Sequence, residues 1–367
     1  MDTSSSDPSP YLTFMVPRVV PPAPKLPAGS IITTIYKYDS WEEIKLKQAL
    51  IIGSTVADVT VRLPHLPVTG EDVIVESQSM SLGGCAYNVS EILRQSGVPY
   101  TLFSPVGTGI YGNYVREHLK RKQIPILIPA PAADNGCCYC FVEESGERTF
   151  AALHGAEYRF ERQWFSLAES LSVGSVYVCG LELEEDTGGF ILDYLEDHPE
   201  YTVYFAPGPR ISFIPQSSLR RMFSLSPILH LNRDEALEYT GITGIPENKK
   251  PWKKADLPCR EYRLEACLPE AASRLTALTR NHVIITLGAH GAFHMEPSGK
   301  HALIPGCPAR QVDATGAGDS HMGAVIACRM KGFPMDKAIR TANRISAAVV
   351  EHAGAGLDDE DFLRLNA

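Results

Sequence analysis

The chain has 367 residues, 44% of them hydrophobic, with 34 basic against 43 acidic side chains and a net charge of -9. That is enough apolar material for one large α/β domain or two smaller ones. The acidic balance argues against a nucleic-acid partner, which would call for a basic face, and no apolar run reaches the length of a membrane-spanning helix. Nine cysteines, scattered and odd in number, with no signal-like apolar segment before them, read as a reduced cytoplasmic chain without a disulfide framework.

In chain order, residues 1–45 are rich in Pro and Ser and hold no sustained period, so they read as a mobile extension. Within them "SWEEIKLKQ" begins at Ser40, a residue suited to cap a short helix. The ordered domain is expected over residues 46–367. Residues 49–52 form a buried strand broken by Gly53, and residues 70–84 alternate like a half-exposed strand. "CAYNVSEILRQSG" is an amphipathic helix ended by Gly97. Strand "PYTLFSPVG", helix "NYVREHLKRKQI" and strand "IPILIPA" follow. "CCYCFVEESGERTFAAL" reads as a hairpin turning at Gly146. Strands and helices then alternate to the end, closing with a hairpin over residues 291–306 and two helices from Gly318 onward. Such alternation predicts a mostly parallel sheet covered on both faces. The strands at about 58–82 and 136–152 break the rhythm and predict a small separate sheet.

Ligands of open parallel sheets sit beyond the carboxyl ends of the strands. Asp58, with Gly83, Gly84 and Asn88 at a helix start, could fix hydroxyl groups; the bland reading is a cap and a tight turn. "GTGIYG" (107–112) matches a dinucleotide fingerprint with Asp134 downstream, but Asp134 runs into the Asn135-Gly136 turn, so nicotinamide binding is the weaker reading. Cys138 and Cys140 share a strand face with no second pair at zinc spacing, and read as small buried hydrophobes. In "NRDE", Asn232 and Glu235 form a capping box, and a carboxylate there can also orient water on a magnesium ion. "TLGAHG" (286–291) ends a strand in a glycine turn suited to a nucleotide. In "DATGAGDS", the bare turn of Gly316, Ala317 and Gly318 exposes helix N–H groups to an anion, and Asp319 stands beside it.

These motifs carry a likeness. "DATGAGDS" and "GGCAYNVSEILRQSG" resemble the two signatures of the ribokinase-like, or PfkB, carbohydrate and nucleoside kinases, with "NRDE" and "TLGAHG" matching N-x-x-E and T-L-G-x-x-G in order. The details look closest to a bacterial branch of uncharacterised sugar kinases. The resemblance implies a three-layer α/β/α sandwich with a small β-sheet lid, whose apolar face needs covering by substrate or by a second subunit in a homodimer. It implies Asp319 as catalytic base, Gly316, Ala317 and Gly318 as anion hole, and Asp58, Gly83, Gly84 and Asn88 on the substrate. It implies Asn232, Thr286, Gly288, Gly291 and Asn343 by the ATP, and Glu235 serving Mg2+ through water. Asp313 matches a position that in some members helps to hold a monovalent cation such as K+. Two departures stand out: Ala314 where Thr is common, and His321 where Phe is common, the latter bearing on the substrate pocket. The expected activity is ATP-dependent phosphorylation of a primary hydroxyl of a small sugar. A nucleoside kinase and a non-catalytic sugar sensor are the alternatives.

Overall fold

The run "QALII" folds as strand β1 (Gln48–Ile52), and its side chains explain the layering. Neighbouring residues of a strand point to opposite faces. Ala49 and Ile51 enter one apolar cluster, Leu50 and Ile52 another, all fully buried. A strand covered on both faces reads as an unbroken apolar run, and burial of each large side chain contributes roughly 1.5–3 kcal/mol.

This computed structural model describes residues 47–242 and 264–366. All of them belong to one compact unit, Lys45–Ala367. The expected extension over residues 1–45, with its Ser40 cap, lies outside the described residues.

The next strands, β2 (Val56–Leu63) and β3 (Ser77–Gly83), leave the main layer. Helix α1 (Cys85–Gln95) leads back to β4 (Tyr100–Phe103). A two-residue ladder joins β5 (Pro105–Val106) to β6 (Ile128–Pro129) around α2 (Ile110–Arg121). The hairpin β7 (Cys137–Glu143) and β8 (Arg148–Leu153) turns at Gly146, whose φ is 83°. From there the chain alternates: β9 (Val173–Cys179), α3 (Leu181–Glu184), α4 (Gly188–Glu196), β10 (Thr202–Ala206), α5 (Gln216–Ser224), β11 (Ile228–Asn232), α6 (Arg233–Thr240), α7 (Leu264–Thr279) and β12 (Val283–Thr286). It closes with β13 (Ala292–Met295), β14 (His301–Ile304), α8 (Ala317–Met330), α9 (Met335–Val349) and α10 (Asp359–Asn366).

The main sheet runs β14-β13-β12-β11-β10-β9-β1-β4. It is parallel from β12 to β4, with β13 and β14 antiparallel at one edge. One apolar layer packs it against α1, α2, α8, α9 and α10, and the other against α4, α5 and α7. The second sheet, β3-β2-β7-β8, is the expected lid. Its Ala57, Val59, Val61, Leu63 and Cys137 pack with Tyr111 and Tyr114 of α2, so that face is largely covered from within the chain. Asp58 and Thr60 alternate onto the opposite face, beside Cys138 and Cys140.

Three expectations need correcting. The strand expected over residues 70–84 is confined to 77–83, because its partner β2 ends at Leu63, just past the Arg62–Ser77 pair, and leaves the residues before 77 no strand to pair with. "IPILIPA" pairs only at 128–129, because its partner β5 is itself two residues long and Pro125 has no N–H to extend the ladder. Three helices, rather than two, follow Gly316.

Candidate active site

The turn into α8 is built for close approach. Gly316 caps the helix with φ 72°, and a Cβ there would lie 2.2 Å from the Ala355 carbonyl oxygen, so only glycine fits. At Gly318 a Cβ would meet nothing within 4 Å. The first turn of α8 therefore faces open space, with N–H groups that no helical carbonyl uses. Asp319 sits in that turn, and the Asn88 side-chain amide of α1 donates to its Oδ2 at 2.8 Å. Burial pushes the Asp319 carboxyl up to about 6, against the downward pull of Asn88 and of the Cys85 thiol. A carboxyl group poised there can take a proton near neutral pH.

Asp58 comes to the same place from the lid. It lies inside β2, two residues from its start. Burial first, then the charges of Asp319 and Asp313, push its carboxyl up to about 7. The paired glycines serve two different contacts. A Cβ on Gly83 would fall 1.9 Å from Asp58 Oδ2; one on Gly84, at φ 101°, would fall 2.5 Å from the Ser54 carbonyl oxygen.

Asn232 and Glu235 form the predicted capping box at the start of α6. The Glu235 N–H donates to Asn232 Oδ1 at 2.9 Å, and Glu235 takes the Asn232 backbone N–H at 2.8 Å and its amide at 2.7 Å. Burial lifts the Glu235 carboxyl to about 7, opposed by the Asn232 backbone bond and helped by Asp234, Glu238 and Asp319. Each of its oxygens already accepts one bond, which fits a water-mediated contact to magnesium better than direct ligation. Thr286 ends β12 opposite Asn232. Gly288 (φ 58°) borders open space, while a Cβ on Gly291 would meet the Ile304 carbonyl oxygen at 2.1 Å.

Two residues expected at ligands lie elsewhere. His321 is buried between β11 and α9, its Nδ1 2.9 Å from His230 Nε2 and its Nε2 3.1 Å from Asn343 Oδ1. The Asn343 amide donates to the carbonyls of Ile304 and Pro305 at 3.1 and 3.0 Å. Those bonds fix the amide, so His321 Nε2 carries the proton and its Nδ1 accepts from His230. A polar ring in a core needs such partners, and they leave Asn343 no free amide group for a nucleotide.

Asp313 is also engaged. Its Oδ1 accepts from the Thr315 N–H at 2.8 Å and from the Arg148 guanidinium, and its Oδ2 accepts from the Gly354 N–H at 2.9 Å. Burial would raise its carboxyl, but the bonds from Gly354, Thr315 and Arg148 outweigh burial and hold it below the ordinary range. The guanidinium thus stands, as a positive charge, beside the carboxylate expected to hold a monovalent cation.

The "GTGIYG" pattern is filled from within. Asp134 Oδ1 accepts from the Gly112 N–H at 2.6 Å at the mouth of α2, and a Cβ on Gly109 would meet Asp134 Oδ2 at 2.3 Å. Asn135 takes the Gly107 N–H at 2.7 Å. The anion at this helix start is the protein's own carboxylate, which leaves no cradle for a pyrophosphate. Among the described residues no group of three His, Cys, Asp or Glu side chains could hold a metal ion, and the cysteines are free thiols.

Sequence reasoning passed over Glu182 and Arg148. Glu182 is fully buried just beyond β9, and neither carboxylate oxygen meets hydrogen-bond geometry. Burial pushes it up to about 8. The acid after a strand end in "VCGLE" was a usable signal, by the rule that drew attention to "NRDE". Arg148 carried none, because a turn-flanking arginine is ordinarily a solvated one.

The family model described as pfkB family carbohydrate kinase matches residues 46–361. The chain is 29% identical over 313 residues to an uncharacterized sugar kinase, YegV, of Escherichia coli (strain K12), covering 85% of this chain and 91% of that one. Its fold is similar to that of Arabidopsis thaliana ribokinase complexed with ribose and ATP (TM-score 0.68, 18% identity, 87% and 98% of the two chains). It is likewise similar to Burkholderia thailandensis nucleoside kinase in complex with inosine (TM-score 0.64, 20% identity, 87% and 96%).

Proposed function

Since the chain belongs to the pfkB family of carbohydrate kinases, we propose that it transfers the γ-phosphoryl group of ATP to a primary hydroxyl of a small sugar or sugar-like acceptor. The observation that carries this reading is the pairing of Asp319, its carboxyl pushed up to about 6, with the uncluttered N–H groups of the α8 mouth. Phosphoryl transfer needs a base for the acceptor hydroxyl and donors for the charge spread over the phosphoryl oxygens, both at one point.

Asp319 takes the hydroxyl proton, and the oxygen freed by it attacks the phosphoryl group. Asn88 keeps the carboxylate in one orientation through its 2.8 Å bond. Asp58, lowered over the site by the lid, accepts from further hydroxyls of the acceptor, and Gly83 leaves room for it. The N–H group of Gly318 donates to a phosphoryl oxygen, and that of Ala317 can join it by giving up or sharing its long 3.3 Å bond to the Ala314 carbonyl. Glu235 would hold a magnesium ion through a water, and that ion would supply charge neutralisation on the nucleotide phosphates. Thr286 and Gly288 border the nucleotide.

A nucleoside acceptor is the second reading, supported by the likeness to a nucleoside kinase solved with inosine. The test is ADP release from ATP and Mg2+ over a panel of pentoses, hexoses and nucleosides, with the product located by phosphorus NMR. Turnover of a free sugar at its primary hydroxyl is expected. Turnover of nucleosides alone moves the acceptor class, and saturable sugar binding without ADP release means a sensor.

A further inference from the structure

The site gathers three carboxylates, Asp58, Asp313 and Asp319, close enough for Asp313 and Asp319 to raise the Asp58 carboxyl. A nucleotide would add further negative charge beside them. Against this stands one arginine that none of the motifs singled out. Arg148 begins lid strand β8, and it is the one residue of that strand that is not exposed. Its guanidinium reaches across to the loop before α8. Nη1 donates to Asp313 Oδ1 and to Thr315 Oγ1 at 3.3 Å, and Nη2 donates to the Val312 carbonyl at 3.4 Å. All three acceptors lie within four consecutive residues that run into Gly316.

An ion pair on an open surface contributes little, about 0–1 kcal/mol. This one is different in setting: the side chains are 22% and 11% exposed, and the carboxylate is also pinned by the backbone N–H groups of Thr315 and Gly354. Removing one partner of a half-buried pair leaves the other charge poorly solvated. Of the four lone-pair sites of the Asp313 carboxylate, Arg148 and these N–H groups take three, and the guanidinium already brings the positive charge that a small metal cation would supply.

Building on the kinase reading, we infer that Arg148 is the built-in counter-ion of Asp313, that it makes a monovalent metal cation dispensable here, and that it positions the anion-hole loop from the lid. It is a positioning residue: it acts on the phosphoryl group through the loop 312–315. Lid and anion hole then form one charged joint. A positive charge that is covalently part of the chain takes the role an ion from solution would otherwise fill.

The experiment compares the intact protein with Arg148→Ala in tetramethylammonium chloride and in potassium chloride at equal ionic strength. Two readouts are taken: melting temperature without substrates, and ADP release with the acceptor identified above. The native protein should show the same melting temperature and rate in both salts. Arg148→Ala should lose about 10²-fold in rate in tetramethylammonium, the scale of an anion-hole defect. Potassium should restore most of that rate and raise the melting temperature of the variant alone. Arg148→Lys, which keeps the charge without the fork, should fall between the two. Potassium activation of the native protein overturns the inference. So does an Arg148→Ala variant with an undiminished rate, or one that potassium neither stabilises nor rescues. If Arg148→Ala does not fold, the native protein's response to potassium still decides. The melting readout does not need turnover, so a failed kinase reading and a failed counter-ion give different results.

Discussion

Asp319 must be ionised to accept a proton, and its carboxyl titrates near 6. Turnover should therefore fall as pH drops through about 6, with the limb on the acid side. Replacing Asn88 by Leu removes the 2.8 Å donor that favours the charged form, so the limb should move to higher pH; a pH–rate profile of both proteins checks this. Asp319→Asn keeps the size and loses the base, and its rate should drop about 10²–10⁴-fold. The same change has a second, opposite readout. A carboxyl whose folded value is raised favours folding below its unfolded value and loses that contribution as pH rises through about 6. At pH 8 Asp319→Asn should thus be more stable than the native chain by about 1–3 kcal/mol and melt higher. A variant that lost activity merely by misfolding would melt lower. Neighbouring glycines separate in the same way. Gly318→Val meets open space in the protein, so stability should hold within about 0.5 kcal/mol while ATP affinity, measured by calorimetry, falls. Gly316→Val must leave φ 72° and push on Ala355, and should lose stability as well.

Two short elements show what helix ends and cores do with polar groups. Asp134 closes the mouth of α2 through the Gly112 N–H. Asp134→Ala should destabilise by about 1–2 kcal/mol, the worth of a cap and its charge, seen as a shift in urea midpoint; no nicotinamide should quench or bind in either form. The chain His230–His321–Asn343 ties β11, α8 and α9. Burial depresses both rings, His321 to about 4, while His230, with His321 beside it, is held well below the ordinary imidazole range. Rings held neutral in the fold contribute stability above about 6.5 that is lost as pH falls toward 4. In proton NMR the two rings should keep neutral-imidazole shifts down to pH 5; titration of both near 6.5 would contradict the buried chain. The sequence announced the two ends of these elements differently. The capping box in "NRDE" was legible because its partners are three residues apart. The fates of His321 and Asn343 were not, since their partners come from β11 and from the end of β14, far away along the chain. The same distance hid the Asp134 plug: a glycine pattern says that a backbone is approached closely and leaves open by what.

Across the whole molecule burial is uneven. The core strand β1 is covered on both faces, while β3 and β8 are mostly exposed. Amide exchange should follow, with β1 and β9 slower than β3 and β8 by about 10²-fold or more, and the lid should slow when acceptor and nucleotide are added. The sandwich and its lid were readable because strand–helix alternation, and its interruption at 58–82 and 136–152, are properties of stretches of chain. Where each lid side chain meets the body was not readable, because β8 and the loop 312–315 are joined only by folding. Arg148 and Glu182 belong to that second kind of information.

Gly83 gives this difference a practical form. Its missing side chain is the space that the Asp58 carboxylate occupies. Gly83→Ala would turn that acid aside while leaving the two apolar layers of the main sheet untouched. In a library of random variants sorted by cellular abundance, such a clone would survive the sieve. Sorted by growth on the compound the enzyme phosphorylates, it would vanish. A position that is silent in one selection and essential in the other is the genetic signature of a glycine kept for the sake of a neighbour's charge.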